Sequence, residues 1–158
     1  MTIYLPMLGL KQIEGGFNMA VDVKKIVSDC NKAWNLHDVN KILEFYTNDC
    51  LFEDVALGAV CRGKEELAAF LNSNHDFQHD VKFELKSVFG AGDWAGSESI
   101  FSGTHAHAIA GIPATGKTFS VRAAGIYQLH NGKISRETGY FNMATIMQQL
   151  GLMPGQPK

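Results

Sequence analysis

The sequence predicts one α+β domain in which a curved, mostly antiparallel sheet closes against helices that come first in the chain. Three observations predict it. Apolar residues recur at helical steps up to about residue 71 and at two-residue steps from about residue 81. Turn chemistry falls between the later segments, at Gly90-Ala91-Gly92-Asp93 and Asn131-Gly132, so consecutive strands fold back on one another. A chain of 158 residues with 46% hydrophobic and 19% charged residues has the size and balance of a single globular domain.

Taken in order, Val23, Ile26, Val27, Cys30, Ala33 and Trp34 lie at three- and four-residue steps and define an amphipathic helix over residues 23–36. Asp38 caps a second helix that carries Val39, Ile42, Leu43 and Tyr46. CLFEDVAL reads as a short strand. Arg62-Gly63-Lys64 opens a third helix with Leu67, Ala68, Phe70 and Leu71 inward. The period then changes. Val81, Phe83 and Leu85 alternate with Lys82, Glu84 and Lys86, the mark of a half-buried strand, and a longer strand runs from Trp94 to His107. After the loop GIPATGK, residues 118–129 alternate again. Phe119, Val121, Ala123, Gly125 and Tyr127 share the inner face; Ser120, Arg122, Ala124, Ile126 and Gln128 share the outer one. A last strand, Lys133 to Asn142, precedes a short helix ending at Gly151. Strands 81–142 thus form a four-strand antiparallel meander. When strongly curved, such a sheet is a cone with a hollow fit for a ligand.

Charge and composition exclude several function classes. A formal charge of −2 offers no basic face for nucleic acid. The three cysteines, Cys30, Cys50 and Cys61, are odd in number and lack CxxC spacing, which points to reduced thiols in the cytoplasm. Residues 1–18 lack the basic region and cleavage site of a signal peptide, and are too short in apolar residues to span a membrane. Glu14-Gly15-Gly16 back-translates to a ribosome-binding purine run before Met19, so residues 1–18 read as an upstream extension and 19–158 as the domain. His75 and His79 have helical spacing, but no third ligand is apparent and the stretch is turning into strand. A solvated connector is expected there, with no metal.

The phrases AWNLHDVNKILEFYTNDCLFED, GIPATGKTFSVR and HNGKISRETGYFNMATIMQQLGLMP occur in that order and together resemble the SnoaL-like family of the nuclear transport factor 2-like superfamily. The resemblance runs from about Val23 to Pro154. It implies a cystatin-like α+β cone holding a small apolar ligand without metal or cofactor. It also implies a homodimer through the outer sheet face, with which the small and polar row at 120–128 is compatible. The activities it implies are of cyclase or isomerase type, although the same fold also serves as a non-catalytic binding module.

Asp54, at the end of FED, matches the aspartate that abstracts a substrate proton in ketosteroid isomerases. A carboxylate at the rim of an apolar hollow suits a general base, and an aspartate before the 55–58 loop equally suits a turn cap. The oxyanion-binding tyrosine of those isomerases falls on Cys30 and their strand aspartate on Gly125, so both stabilisers of a dienolate are missing. The acid/base aspartate of SnoaL-type cyclases also falls nearest Gly125. Gly139 and Asn142 stand where many relatives carry aspartates; Asn142 keeps hydrogen-bonding capacity and also suits the cap of the last helix. His105, in GTH, is a candidate acid/base alongside His107, two residues on along the same expected strand face. Trp34, Tyr46, Phe101 and Tyr127 are the expected aromatic contacts of a flat ligand, with Trp34 and Tyr127 reaching the hollow; Phe52 and Phe119 fit the same wall, and all of them also suit an ordinary core. The expected reaction is proton transfer on an apolar carbonyl compound, with Asp54 as base and His105 or Tyr127 as donor.

Overall fold

The computed structural model describes residues 22–74, 80–108 and 112–153. The expected extension at 1–18 and the His75–His79 pair lie outside them. Helix α1 (Val23–Asn35) starts where the Asp22 carboxylate accepts the Lys25 N–H at 3.0 Å, and it turns Val23, Val27, Cys30 and Ala33 into the core. Asp38 caps α2 (Val39–Leu43) in the same way, accepting from Lys41 at 3.2 Å. This helix is shorter than its pattern predicts. Tyr46, expected on its face, instead opens strand β1 (Tyr46–Asp54). Tertiary pairing overrides the local period here, because the Phe45 carbonyl accepts the Ile134 N–H at 2.8 Å and ties the segment to the last strand of the sheet.

Strand β2 (Ala59–Arg62) folds back antiparallel on β1, and α3 (Gly63–Ser73) follows at once. Gly63 makes that corner with φ 80°; a Cβ there would also lie 3.0 Å from the Asn48 carbonyl oxygen. The remaining strands are β3 (Lys82–Ala91), β4 (Trp94–Thr104), β5 (Thr118–His130) and β6 (Lys133–Phe141), followed by α4 (Met143–Gln149).

The meander β3–β4–β5–β6 forms as predicted, but the sheet is larger than four strands. Its order is β2-β1-β6-β5-β4-β3, and the β1–β6 pair is parallel. That pairing matters for the site. It sets Phe52 opposite Glu137 and Asp54 opposite Gly139. Register shifts between Leu85 and Ser87 and between Gln128 and Leu129 bend the sheet, and α1 lies against its concave face. The alternation predicted for β5 holds: Ser120, Arg122, Ala124 and Ile126 are exposed while Val121, Gly125 and Leu129 are buried.

Strand β4 ends earlier than the sequence suggests. Asp80 accepts the Thr104 N–H at 2.8 Å and its hydroxyl at 2.6 Å, which anchors the strand end there. His105 and His107 therefore sit in the β4–β5 connection and not on a shared strand face. Ile146 of helix α4 and its C-cap residue Leu150 pack on Val121, and Gln149 exchanges two hydrogen bonds with the Ser120 backbone. No helix among the described residues is long and apolar enough to cross a membrane.

Candidate functional site

Between α1, α3 and the concave face lies a cavity of about 120 Å³. Its walls are aromatic because the inward positions of β1, β3 and β4 carry rings. Phe83 stacks on Phe101 with centroids 4.8 Å apart, and Trp34 stacks on Phe52 at 5.8 Å while meeting Phe83 edge-on at 5.8 Å. Phe70 of α3 closes against Phe52 at 5.6 Å.

A polar cluster is set into this apolar wall. Glu137, on the inner face of β6, is 9% exposed and lines the cavity. Its carboxyl accepts a short hydrogen bond from the fully buried Tyr46 hydroxyl. That hydroxyl in turn accepts from Trp34 Nε1 at 3.2 Å and lies 3.9 Å from Cys30 Sγ. Burial pushes the Glu137 carboxyl up from 4.5 to about 7; the Tyr46 bond opposes the rise and the Asp54 charge adds to it. Near neutral pH this group is poised between acid and base.

Asp54 ends β1 on the same cavity wall. Its Oδ1 accepts the Leu57 N–H at 2.9 Å, so it also caps the turn that leads to β2. Burial raises its carboxyl above the ordinary aspartate value, against the N–H groups of Leu57 and Ala56, which lower it. Both expected readings of Asp54, turn cap and cavity carboxylate, describe the same side chain.

Gly125 has a direct structural consequence. A Cβ at that position would lie 2.4 Å from the Tyr127 hydroxyl oxygen. The glycine lets the Tyr127 ring fold back along its own strand, and the hydroxyl occupies the space that a side chain at 125 would take. There it shares a hydrogen bond with Ser97 Oγ at 3.2 Å. Burial, then the Glu137 charge, pushes the Tyr127 phenol well above its usual value of 10, so it stays protonated and able to donate.

The structure therefore brings Asp54, Trp34, Phe101 and Tyr127 to one cavity. Tyr46 lies behind the wall and reaches the site through Glu137. His105 does not line the cavity. It is 2% exposed, its Nδ1 lies 3.1 Å from Thr115 Oγ1, and its backbone bonds Lys117 and Gly116, which pins the β4–β5 loop; the expected acid/base position is corrected to a loop clasp. Asn142 caps α4, accepting the Thr145 N–H at 3.1 Å, and borders a shallow outer cleft instead of the cavity. Glu137 escaped the sequence reading because it sits between Arg136 and Thr138 in a polar run. Its only signal was parity: counted back from Gly139 and Phe141, it falls on the inner row. Among the described residues no group of three or more His, Cys, Asp or Glu is placed to hold a metal ion.

Residues 24–150 match the family model of the SnoaL-like polyketide cyclases. The chain belongs to that family. Solved structures agree on the fold. A proposed polyketide cyclase from Pseudomonas putida is 26% identical, with 80% of this chain and 96% of that one covered and a TM-score of 0.70. A proposed hydroxylase from Streptomyces galilaeus is 20% identical over 85% of this chain and 84% of its own, with a TM-score of 0.72. A ketosteroid isomerase-like fold from Catenulispora acidiphila, solved with trimethylamine, is 20% identical over 82% and 94%, with a TM-score of 0.69. No curated protein is detectably similar in sequence. In this SnoaL-like protein the space beside Gly125 is taken by a tyrosine hydroxyl delivered from two residues away.

Proposed function

We propose that the cavity carries out proton transfer on a small, largely apolar carbonyl compound, in the manner of a cyclase or isomerase. The observation that carries this reading is the pair of carboxyls, Asp54 and Glu137, both raised by burial on the wall of one aromatic cavity. Asp54, as carboxylate, takes a proton from the carbon next to the carbonyl. The bonding pair moves onto the carbonyl oxygen, which receives a hydrogen bond from the Tyr127 hydroxyl or from protonated Glu137. Return of the proton to another atom completes an isomerisation; attack of the enolate on a second carbonyl completes a ring closure.

The test is exchange of hydrogen for deuterium next to the carbonyl in a set of one- and two-ring ketones, followed by NMR. Asp54→Asn keeps an oxygen for the Leu57 N–H but cannot take a proton. The rate is expected to fall by about 100-fold or more, in line with the loss of a general base. An unchanged rate overturns the assignment.

The role of Asp54 as a turn cap favours a second reading, a binding domain without chemistry. Ligand binding with no exchange in any ketone of the set would select it. Pairing of two copies through the outer sheet face belongs to the same proposal, supported by Phe89, Trp94 and Ile126, which are 57%, 47% and 40% exposed there. So does a cytoplasmic setting, supported by three buried cysteines that are all free.

A further inference from the structure

The charge pattern of the cavity limits what can enter it. Its wall carries two carboxyls, Asp54 and Glu137, and no lysine, arginine or histidine among the described residues lines it. The other polar side chains lining it are asparagine, serine and tyrosine; among them the Tyr127 and Ser97 hydroxyls share one bond, and the Asn31 amide donates to the Phe83 carbonyl at 3.0 Å. A bound anion would meet two acids in a desolvated site with no compensating cation among the described residues, the arrangement that binding sites use to reject a ligand. Size restricts the occupant further. An engineered apolar cavity of about 150 Å³ holds benzene, so about 120 Å³ encloses no more than a single ring, and a substituent on that ring reaches towards the mouth. Anything larger must extend through the mouth, where Leu57 and Tyr140 line the cavity and remain 43% and 46% exposed.

We propose that the site selects an uncharged ligand, a single ring bearing a carbonyl or hydroxyl oxygen, and excludes the corresponding free acid; a carboxylated substrate is accepted only as its ester, amide or thioester. The inference rests on the small-molecule reading above and adds the charge rule to it. Neutral oxygen is served on both sides: protonated Glu137 and the Tyr127 hydroxyl are donors, whereas a carboxylate at the same spot faces Glu137 ionising against it.

The test uses two probes of nearly equal shape, acetophenone and benzoate, titrated into the full chain and followed by protein NMR shifts. At about pH 8 acetophenone is expected to bind at least tenfold more tightly than benzoate. Replacing Glu137 by Gln is expected to narrow that ratio by about tenfold, because the like charge is gone while a hydrogen-bond donor stays; circular dichroism confirms that the variant is folded. Lowering the pH to about 6, which neutralises Glu137 while benzoate stays ionised, is expected to narrow the ratio in the unaltered protein as well. Equal or tighter binding of benzoate at about pH 8 overturns the charge rule and leaves the cavity reading standing. Failure of acetophenone to bind under any of these conditions overturns the cavity reading, and this inference with it.

Discussion

Replacing Glu137 by Gln should make stability less dependent on pH, in a calculable direction. Burial raises the folded-state carboxyl from 4.5 to about 7, so between those values the folded protein binds more protons than the unfolded chain. Stability therefore falls as pH rises through that window and is lowest above it. At ~1.4 kcal/mol for each pH unit, the loss amounts to about 3 kcal/mol. Glutamine does not titrate, yet its carbonyl oxygen can still accept the Tyr46 hydroxyl bond. Urea unfolding at a series of pH values reads the difference between the two proteins, in which the other titrating groups cancel. The variant should gain on the parent by about 3 kcal/mol from pH 4 to pH 8, a relative midpoint change on the order of 1.5 M urea at a typical slope. A difference that stays constant with pH, or that grows in the opposite sense, would refute the buried and protonated state assigned to Glu137.

The remaining predictions concern the groups around it. Tyr46→Phe removes the bond that holds the Glu137 carboxyl down, so the Glu137 midpoint should rise further and stability at neutral pH should drop by about 1–3 kcal/mol, read by carboxyl NMR and denaturation. Gly125→Ala should cost about 1–3 kcal/mol by driving a methyl into the Tyr127 hydroxyl, and most of that cost should vanish in a Tyr127→Ala background. His105→Ala should lower thermal stability by loosening the 115–117 loop while leaving ketone exchange at its parent rate, since the imidazole lies off the cavity. A lost rate would return His105 to the site.

The sheet that lines the site was legible in the sequence because its strands are consecutive and joined by strong turns. Period-two alternation at 118–129 and the Asn131-Gly132 hairpin predict β5 and β6, and register then follows from pairing. The β1–β6 pairing was not legible. It joins residues 46–54 to residues 134–139, and parallel pairing across such a separation leaves no local trace. Missing that pairing hid Glu137, since the inward parity of β6 becomes meaningful only once β1 lies beside it and Phe52 faces residue 137. The local pattern places Tyr46 on a helix for the same reason. The family resemblance pointed to Asp54 and to Gly125; only the folded chain shows the Tyr127 hydroxyl standing where a side chain at 125 would project.

Two carboxyls, Asp54 and Glu137, share one apolar cavity. Carbon-13 titration of the Glu137 and Asp54 carboxyl signals, with and without a bound single-ring ketone, tests it most directly. The expected result is a Glu137 midpoint near pH 7, an Asp54 midpoint above its ordinary value, and movement of both on ligand addition. Two ordinary carboxylate midpoints indifferent to the ketone would contradict it.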